Sequence, residues 1–216
     1  MAKDGENKPA NRQVYRYNIT SGEHFENNGE KERGGAACGC DADANRVFWA
    51  WGFSDSGVTT DVEYWGADPL HRRGEPQRST SGKRRDVGGV ACGGLFVAAG
   101  GNDGKTSQST IDIWVANSTA TSGQDRTLQL GVPLNVPKVE CLGGRHVLIS
   151  GGVTSKSSCN ALVMHFDTRS LPVDGATVDQ LDGALAGVTG AVASATDVGS
   201  GAVVFFDGAA GELLSL

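Results

Sequence analysis

Residues Leu95–Trp114, LFVAAGGNDGKTSQSTIDIW, decide how the chain is read. They run as an apolar strand, a Gly-Gly at its end, a polar loop, and a second strand closing on an aromatic residue. The same order recurs at Val47–Trp65 (VFWAWGF, loop, DVEYW), at His146–Phe166 (HVLISGG, loop, NALVMHF), and from Ala202 onward (AVVFFDG, then GELLSL). The glycines ending the first of these strands are Gly52, Gly101, Gly152 and Gly208, at spacings of 49, 51 and 56. A period near fifty with one supersecondary unit per period marks a repeat architecture. The pattern speaks to fold far more than to function.

Composition agrees. The chain has 216 residues, 32 of them glycine, about twice the usual share. These glycines fall between apolar runs, as turns would, and not in a tripeptide period. The net charge of −6 gives no general reason to expect nucleic-acid or membrane binding. No run approaches the 18 or so apolar residues of a spanning helix. Five cysteines and a polar Met1–Arg12 predict a soluble intracellular protein, cytoplasmic by default, with a disordered stretch over residues 1–12.

The chain then reads as repeats over 13–216: a partial one at 13–33, and others at 34–80, 86–131, 136–173 and 188–216. Tyr15 and Tyr17 alternate with polar residues on a strand, Thr20-Ser21-Gly22 is a turn, and Phe25 starts the return. The segment Gly34-Gly35-Ala36-Ala37-Cys38-Gly39 resembles Gly88-Gly89-Val90-Ala91-Cys92-Gly93, and more loosely Lys138–Gly143. Each period thus holds a small-residue strand, an apolar strand, a glycine turn and an aromatic-ended strand, with room for a fourth. Along Val47–Phe53, Val47, Trp49, Trp51 and Phe53 are expected on one face, and Phe48, Ala50 and Gly52 on the other. Apolar residues on both faces predict cover from both sides. Val178, Leu181 and Leu185 suggest at most one short helix within Thr177–Ala186.

With these motifs the chain resembles the kelch family of β-propellers. Gly100-Gly101 and Gly151-Gly152 match that family's double glycine, while Trp51-Gly52 and Asp207-Gly208 keep its second half. Tyr17, Tyr64 or Trp65, Trp114 and Phe166 stand at its aromatic position. The segment Arg46–Gly57 also resembles the repeats of chromatin-condensation-regulator propellers. The kelch resemblance implies an all-β propeller, usually of six or seven blades; the segments of this chain give four to five, closed as a small propeller with Val14–Phe25 completing the last blade, or incomplete and closed by a partner.

Three constellations could carry chemistry. Ala99–Thr106, AGGNDGKT, fits a relaxed P-loop and would make the chain a nucleotide-binding protein if a helix came next. The next residues, Ser107–Trp114, are instead β-branched and alternating. Cys38, Cys40, Cys92 and Cys141 could gather at a propeller axis, but no paired ligand spacing supports zinc, so core packing is the preferred reading. His71–Arg85 carries Arg72, Arg73, Arg78, Lys83, Arg84 and Arg85 against Glu75, a net +5 that leaves −11 on the remainder. Such a loop could hold RNA, phosphate or an acidic partner.

The expectation is a non-catalytic interaction or scaffold module within a larger complex, with no cofactor and no metal. Its binding residues would lie on the loops after the apolar strands, at Ser54, Asp55, Asn102, Asp103, Lys105 and Lys156, and on the basic loop.

Overall fold

The computed structural model describes residues 11–17, 20–41, 45–54, 56–66, 71–72, 77–78, 81–115, 126–153, 163–181, 192–196, 203–207 and 212–215. These residues form strands and turns, with no helix among them.

β1 (Asn11–Tyr17) and β2 (His24–Arg33) pair as a hairpin, so Asn11 and Arg12 belong to a strand rather than to a disordered terminus. The first sheet runs β3 (Ala37–Asp41), β4 (Arg46–Ala50) and β7 (Asp61–Gly66). A small hairpin, β5 (Phe53–Ser54) with β6 (Gly57–Val58), interrupts it. Two short strands, β8 (His71–Arg72) and β9 (Gln77–Arg78), pair with β7. The second sheet runs in chain order through β10 (Gly88–Cys92), β11 (Leu95–Ala99), β12 (Gln108–Val115) and β13 (Arg126–Leu134). The third does the same with β14 (Lys138–Leu142), β15 (His146–Ser150), β16 (Val163–Asp167) and β17 (Asp179–Leu181). β17 is a strand where the sequence suggested a helix; residues 182–186 lie outside the described residues. β18 (Val192–Thr196), β19 (Val203–Asp207) and β20 (Glu212–Ser215) make the last sheet. All of these strand pairings are antiparallel, and the first strands pack side by side, β3 on β10, β10 on β14, and β14 on β18.

β11 shows why the sheets stack. All five of its residues are buried, and alternation sends them to two cores. Phe96 and Ala98 join Phe48, Ala50, Trp51, Val62 and Trp114 between the first and second sheets. Leu95, Val97 and Ala99 join Ile111, Ile113, Leu128, Val147, Ile149, Met164 and Phe166 between the second and third. Phe48 stacks on Phe96 at 4.8 Å between ring centroids, and Trp51 meets Trp114 edge-on at 5.2 Å. Trp65, Trp114 and Phe166 occupy one register position, opposite Val47, Phe96 and Val147.

Register corrects two alignments. Ala37, Gly88 and Lys138 begin equivalent strands opposite Ala50, Ala99 and Ser150, so Gly34-Gly35 corresponds to Arg85-Asp86 and not to Gly88-Gly89. Trp51 does not continue the alternation of β4. Its φ of 57° turns its side chain into the core that Phe48 and Ala50 fill.

Trp51 stands where the other units carry their first glycine, Gly100 (φ 64°) and Gly151 (φ 62°). The next residues, Gly52, Gly101 and Gly152, also have positive φ, and space explains the glycine there. A Cβ would fall 2.8 Å from the Gly34 carbonyl, 2.7 Å from that of Arg85 and 2.9 Å from that of Asn135. The linker entering each unit therefore lies directly against its glycine turn. Bridges Gly34–Phe53, Arg85–Asn102 and Asn135–Val153 fasten it there.

Immediately before each bridge stand Arg33, Arg84 and Leu134. Arg33 pairs with Glu63 at 2.7 Å and Arg84 with Asp112 at 2.8 Å, all four side chains fully buried. The arginines also donate to main-chain carbonyls at equivalent places, Arg33 to Trp51 and Asp61 at 2.8 Å, Arg84 to Gly100 and Thr110 at 3.3 Å. Glu63, Asp112 and Met164 share one register position, opposite Trp49, Ala98 and Ile149. Two units thus fill this slot with an ion pair, and the third fills it with Leu134 and Met164.

Removing one partner of a buried ion pair typically costs about 3–5 kcal/mol, whereas replacing both with apolar groups is often neutral. Arg84→Leu alone and Asp112→Met alone are expected to lower stability in urea unfolding by about that much. The double variant, which copies the third unit, is expected to recover most of the loss.

Candidate functional site

The loops at the glycine-turn end meet in one continuous surface. Asn102, at the centre, is buried and its side chain is fully engaged. Its amide nitrogen donates to Asp86 at 3.0 Å and to Asn135 at 2.8 Å, and its oxygen accepts from Arg85 Nε at 3.0 Å and from the Gly104 amide at 2.9 Å. Two linkers and its own turn are tied by this one side chain, so Asn102 organises the surface and does not present itself to a ligand. The guanidinium of Arg85 lies 5.7 Å over the Phe53 ring. Asp86 accepts the Val136 amide through its carbonyl at 2.9 Å. Phe53 (39% exposed) and Val136 (50% exposed) are the large apolar side chains left uncovered here. Lys83 and Lys105 are exposed as well.

The P-loop reading of Ala99–Thr106 meets a direct obstacle. β12 comes after Lys105-Thr106, with no helix to aim amides at a phosphate. The loop's own amides are occupied. Gly100 donates to Thr110, Gly101 to Leu134, Asn102 to Arg85 and Asp103 to Thr106; Lys105 and Thr106 both donate to the Asp103 carboxylate at 2.8 Å. Those bonds hold the Asp103 carboxyl below its ordinary value. Asp103 is the cap of this turn.

The basic loop also differs from its sequence reading. Arg84 is a fully buried structural residue, bonded to Asp112 and Thr110 and lying 5.0 Å over the Trp51 ring. Burial pushes its guanidinium below its ordinary value while Asp112 pulls it back. Arg85 is half-buried on Phe53, and Lys83 remains exposed. The side chains of Arg72 and Arg78, and Arg73 as a whole, lie outside the described residues, as do Asp55 and Lys156. Ser54 is partly exposed, its hydroxyl 2.7 Å from that of Ser56.

The repeat holds a signal that would have exposed Arg84: Arg33 and Arg84 lie 51 apart and Glu63 and Asp112 lie 49 apart, in step with the glycines. Acids recurring inside apolar strands, with arginines at the same period, indicate buried partners.

At the opposite end of the first strands, three of the four cysteines among the described residues come together. Cys92 and Cys141 form a disulfide between β10 and β14, with Cα atoms 5.4 Å apart. This corrects their reading as free thiols packed in a core. Cys40 is free and exposed. Together with Asp41, Ala91, Gly93, Gly94 and Gly144, these three line a recess of about 280 Å³. Cys38 is free and exposed on the same strand as Cys40. No group of metal-ligating side chains occurs among the described residues, nor a helix long and apolar enough to cross a membrane.

His146 and His165 lie side by side, Nδ1 to Nε2 at 2.9 Å. Next to them Asp167 accepts from Arg145 Nε and from the Arg169 amide, both at 2.8 Å, which holds its carboxyl far below the usual range.

No protein-family model matches the sequence, and no curated protein sequence matches it. The fold is similar to the solved structure of YjhT, with a TM-score of 0.58 and 12% identity. The match covers 80% of this chain and 52% of that one, so this chain spans about half the length of YjhT. At this identity the likeness concerns fold alone.

Burial, and then His146, lower the pKa of His165 from 6.5, with Asp167 and Asp179 opposing. A base with a depressed folded-state pKa favours the fold in its neutral form, so its contribution is present above 6.5 and is lost as pH falls through the folded value. NMR titration is expected to place His165 below 6.5, and His165→Gln is expected to flatten the loss of stability on mild acidification.

Proposed function

We propose that the chain is a kelch-like propeller segment whose glycine-turn end docks a protein partner, as a non-catalytic scaffold in a larger complex. The repeated sheets, with first strands side by side and double-glycine turns at one end, support reading each sheet as a blade. The observation that carries the functional reading is the contrast at that end. The loops' polar groups are largely used to fix one another, while Phe53 and Val136 stay uncovered on the rigid surface that results. Exposed apolar side chains with a cation beside them, here Phe53 under the Arg85 guanidinium, are what interface anchors look like before a partner arrives.

An RNA or phosphate partner draws less support, because Arg84 is withdrawn into the core and Arg85 is engaged with Phe53, Asn102 and Asp86. The Cys92–Cys141 bond favours an oxidising compartment over the cytoplasm suggested by the cysteine count.

Phe53→Asp with Val136→Asp is expected to abolish capture of the partner from native extract, with the melting temperature close to that of the parent. Capture that survives the double change would dismiss this surface. For the disulfide, Cys92→Ser is expected to destabilise the chain by about 4 kcal/mol on a loop-entropy estimate for a sequence separation of 49. Reductant should lower the melting temperature of the parent and leave the variant unmoved.

A further inference from the structure

The hairpin β1–β2 has the register of half a blade. Its pairs Asn11–Arg33, Gln13–Asn28 and Arg16–Phe25 repeat Gln108–Leu134, Thr110–Gln129 and Ile113–Arg126 of β12–β13, with the register shift at the same step. β1 and β2 therefore stand as third and fourth strands, and bridge Gly34–Phe53 follows Arg33 as Asn135–Val153 follows Leu134. In the second sheet, β11 pairs with the inner edge of β12. Among the described residues, nothing pairs with that edge of β1. Burial shows the same gap. On the face of the first sheet turned away from the second, Glu63 and Trp65 of the outer strand β7 are 1% exposed. On the same face Val47 and Trp49 of β4 are only partly buried, and Cys38 and Cys40 of β3 are exposed. Phe96 and Ala98, the counterparts of Val47 and Trp49 in the second sheet, are fully buried, and so are Val147 and Ile149 in the third. Tyr17 is 64% exposed, whereas Trp114 at the matching position is buried. The outer half of this face is covered and the inner half is open.

We propose that a second copy of this chain fills the gap head to tail with its β18 and β19. The inference rests on reading each sheet as a blade, and not on the docking of a partner at the glycine turns. β18–β19–β20 keeps the register of β14–β15–β16 and has no fourth strand among the described residues. The hairpin thus offers third and fourth strands without a first and second, and the last sheet offers the first three without a fourth. Among the described residues of one chain these two ends do not pair, and β10 is the only first strand packed beside β3. The solved fold to which this one is similar is matched over 52% of its length, so two copies would fill it. In the joined blade β1 takes the place of β20 on β19, because β2 must be the fourth strand for its linker to reach β3. The repeat sets the register, with Asp207 opposite Val14 and Phe205 opposite Arg16. β18 then lies beside β3, over Cys38, Cys40, Val47 and Trp49. Main-chain pairing at an open strand edge and burial of that apolar face both favour the contact. It is a heterologous interface, joining different surfaces of the two copies.

The test follows the full chain across a concentration series. Sedimentation is expected to find multiples of the 22.4 kDa chain. Labelling of Cys38 and Cys40 by N-ethylmaleimide, read by peptide mapping, should slow as the copies associate. Thr110 turns its main-chain groups to β11, its carbonyl accepting from Gly100, and by alternation Asp112 does the same. Tyr15 matches Asp112 in register, so Tyr15→Pro removes a donor from the open edge and spares the bonds between β1 and β2. This variant is expected to stay as single copies with fast labelling. Leu213, at the same position of β20, turns its donor to β19. Leu213→Pro is expected to shift association to lower concentration, because β20 competes with β1. Val136→Asp, on the docking surface, should change neither readout. Single copies of the parent at every concentration would overturn the proposal, and slow labelling in them would assign the closure to one chain. Slowly exchanging Gly52 and Gly101 amides in such single copies would sink this contact alone and leave the blades standing. Association that survives Tyr15→Pro would also overturn it.

Discussion

Everything in this fold depends on how closely the linker entering each unit can lie against the glycine turn of that unit. Carbonyls of Gly34, Arg85 and Asn135 occupy the space a side chain would need at Gly52, Gly101 and Gly152. A neighbouring-strand carbonyl at that distance cannot be moved as a flexible side chain can, so the glycine is a steric requirement and not a preference. With the linker seated, the bridge forms, the residue before it is driven inside, and the next first strand starts beside the last. Trp51 shows how strong the constraint is. It takes a left-handed backbone that bulky residues avoid, held by its indole N–H on the Gly82 carbonyl at 3.1 Å and by the Arg84 guanidinium over its face.

The slot before each bridge has two chemical solutions. Arg33–Glu63 and Arg84–Asp112 satisfy buried main-chain carbonyls as well as each other, while Leu134 and Met164 fill the equivalent volume with hydrocarbon. The ionic version fixes geometry at the cost of desolvation, and some of its atoms, Arg33 Nε, Glu63 Oε2 and Arg84 Nε, have no protein partner. The apolar version is continuous with the larger of the two cores. A repeat that tolerates both shows that the volume and the backbone approach define the unit, with chemistry secondary.

The repeat, the double glycines and the aromatic third strand were legible in the sequence, because periodic steric needs leave periodic residues. Cover on both faces was read for Val47–Phe53, where Phe48 and Ala50 are buried but Val47 and Trp49 only partly so; β11 is the strand buried on both faces. What misled was local resemblance. Gly34–Gly39 and Gly88–Gly93 look alike but sit three positions out of register, since similar small-residue strings suit any strand in a crowded place. The cluster at Lys83–Arg85 looked like one solvated patch. Three neighbouring cations have different fates there because a linker turning into the core points successive side chains outward, inward and sideways. The disulfide was hidden because its cysteines are 49 positions apart, and only the register of β10 against β14 brings them together.

The surface assigned to a partner is held by the seams between sheets. Amide hydrogen exchange at Gly52 and Gly101 tests those seams most directly. Both residues lie in turns, yet they donate to Arg84 and Leu134 in the linker of the neighbouring sheet at 2.9 and 2.8 Å. The account predicts that these two amides exchange as slowly as that of Val97 inside β11. Exchange at the rate of an open loop would contradict it, because the linkers would then not be seated on the glycine turns at all.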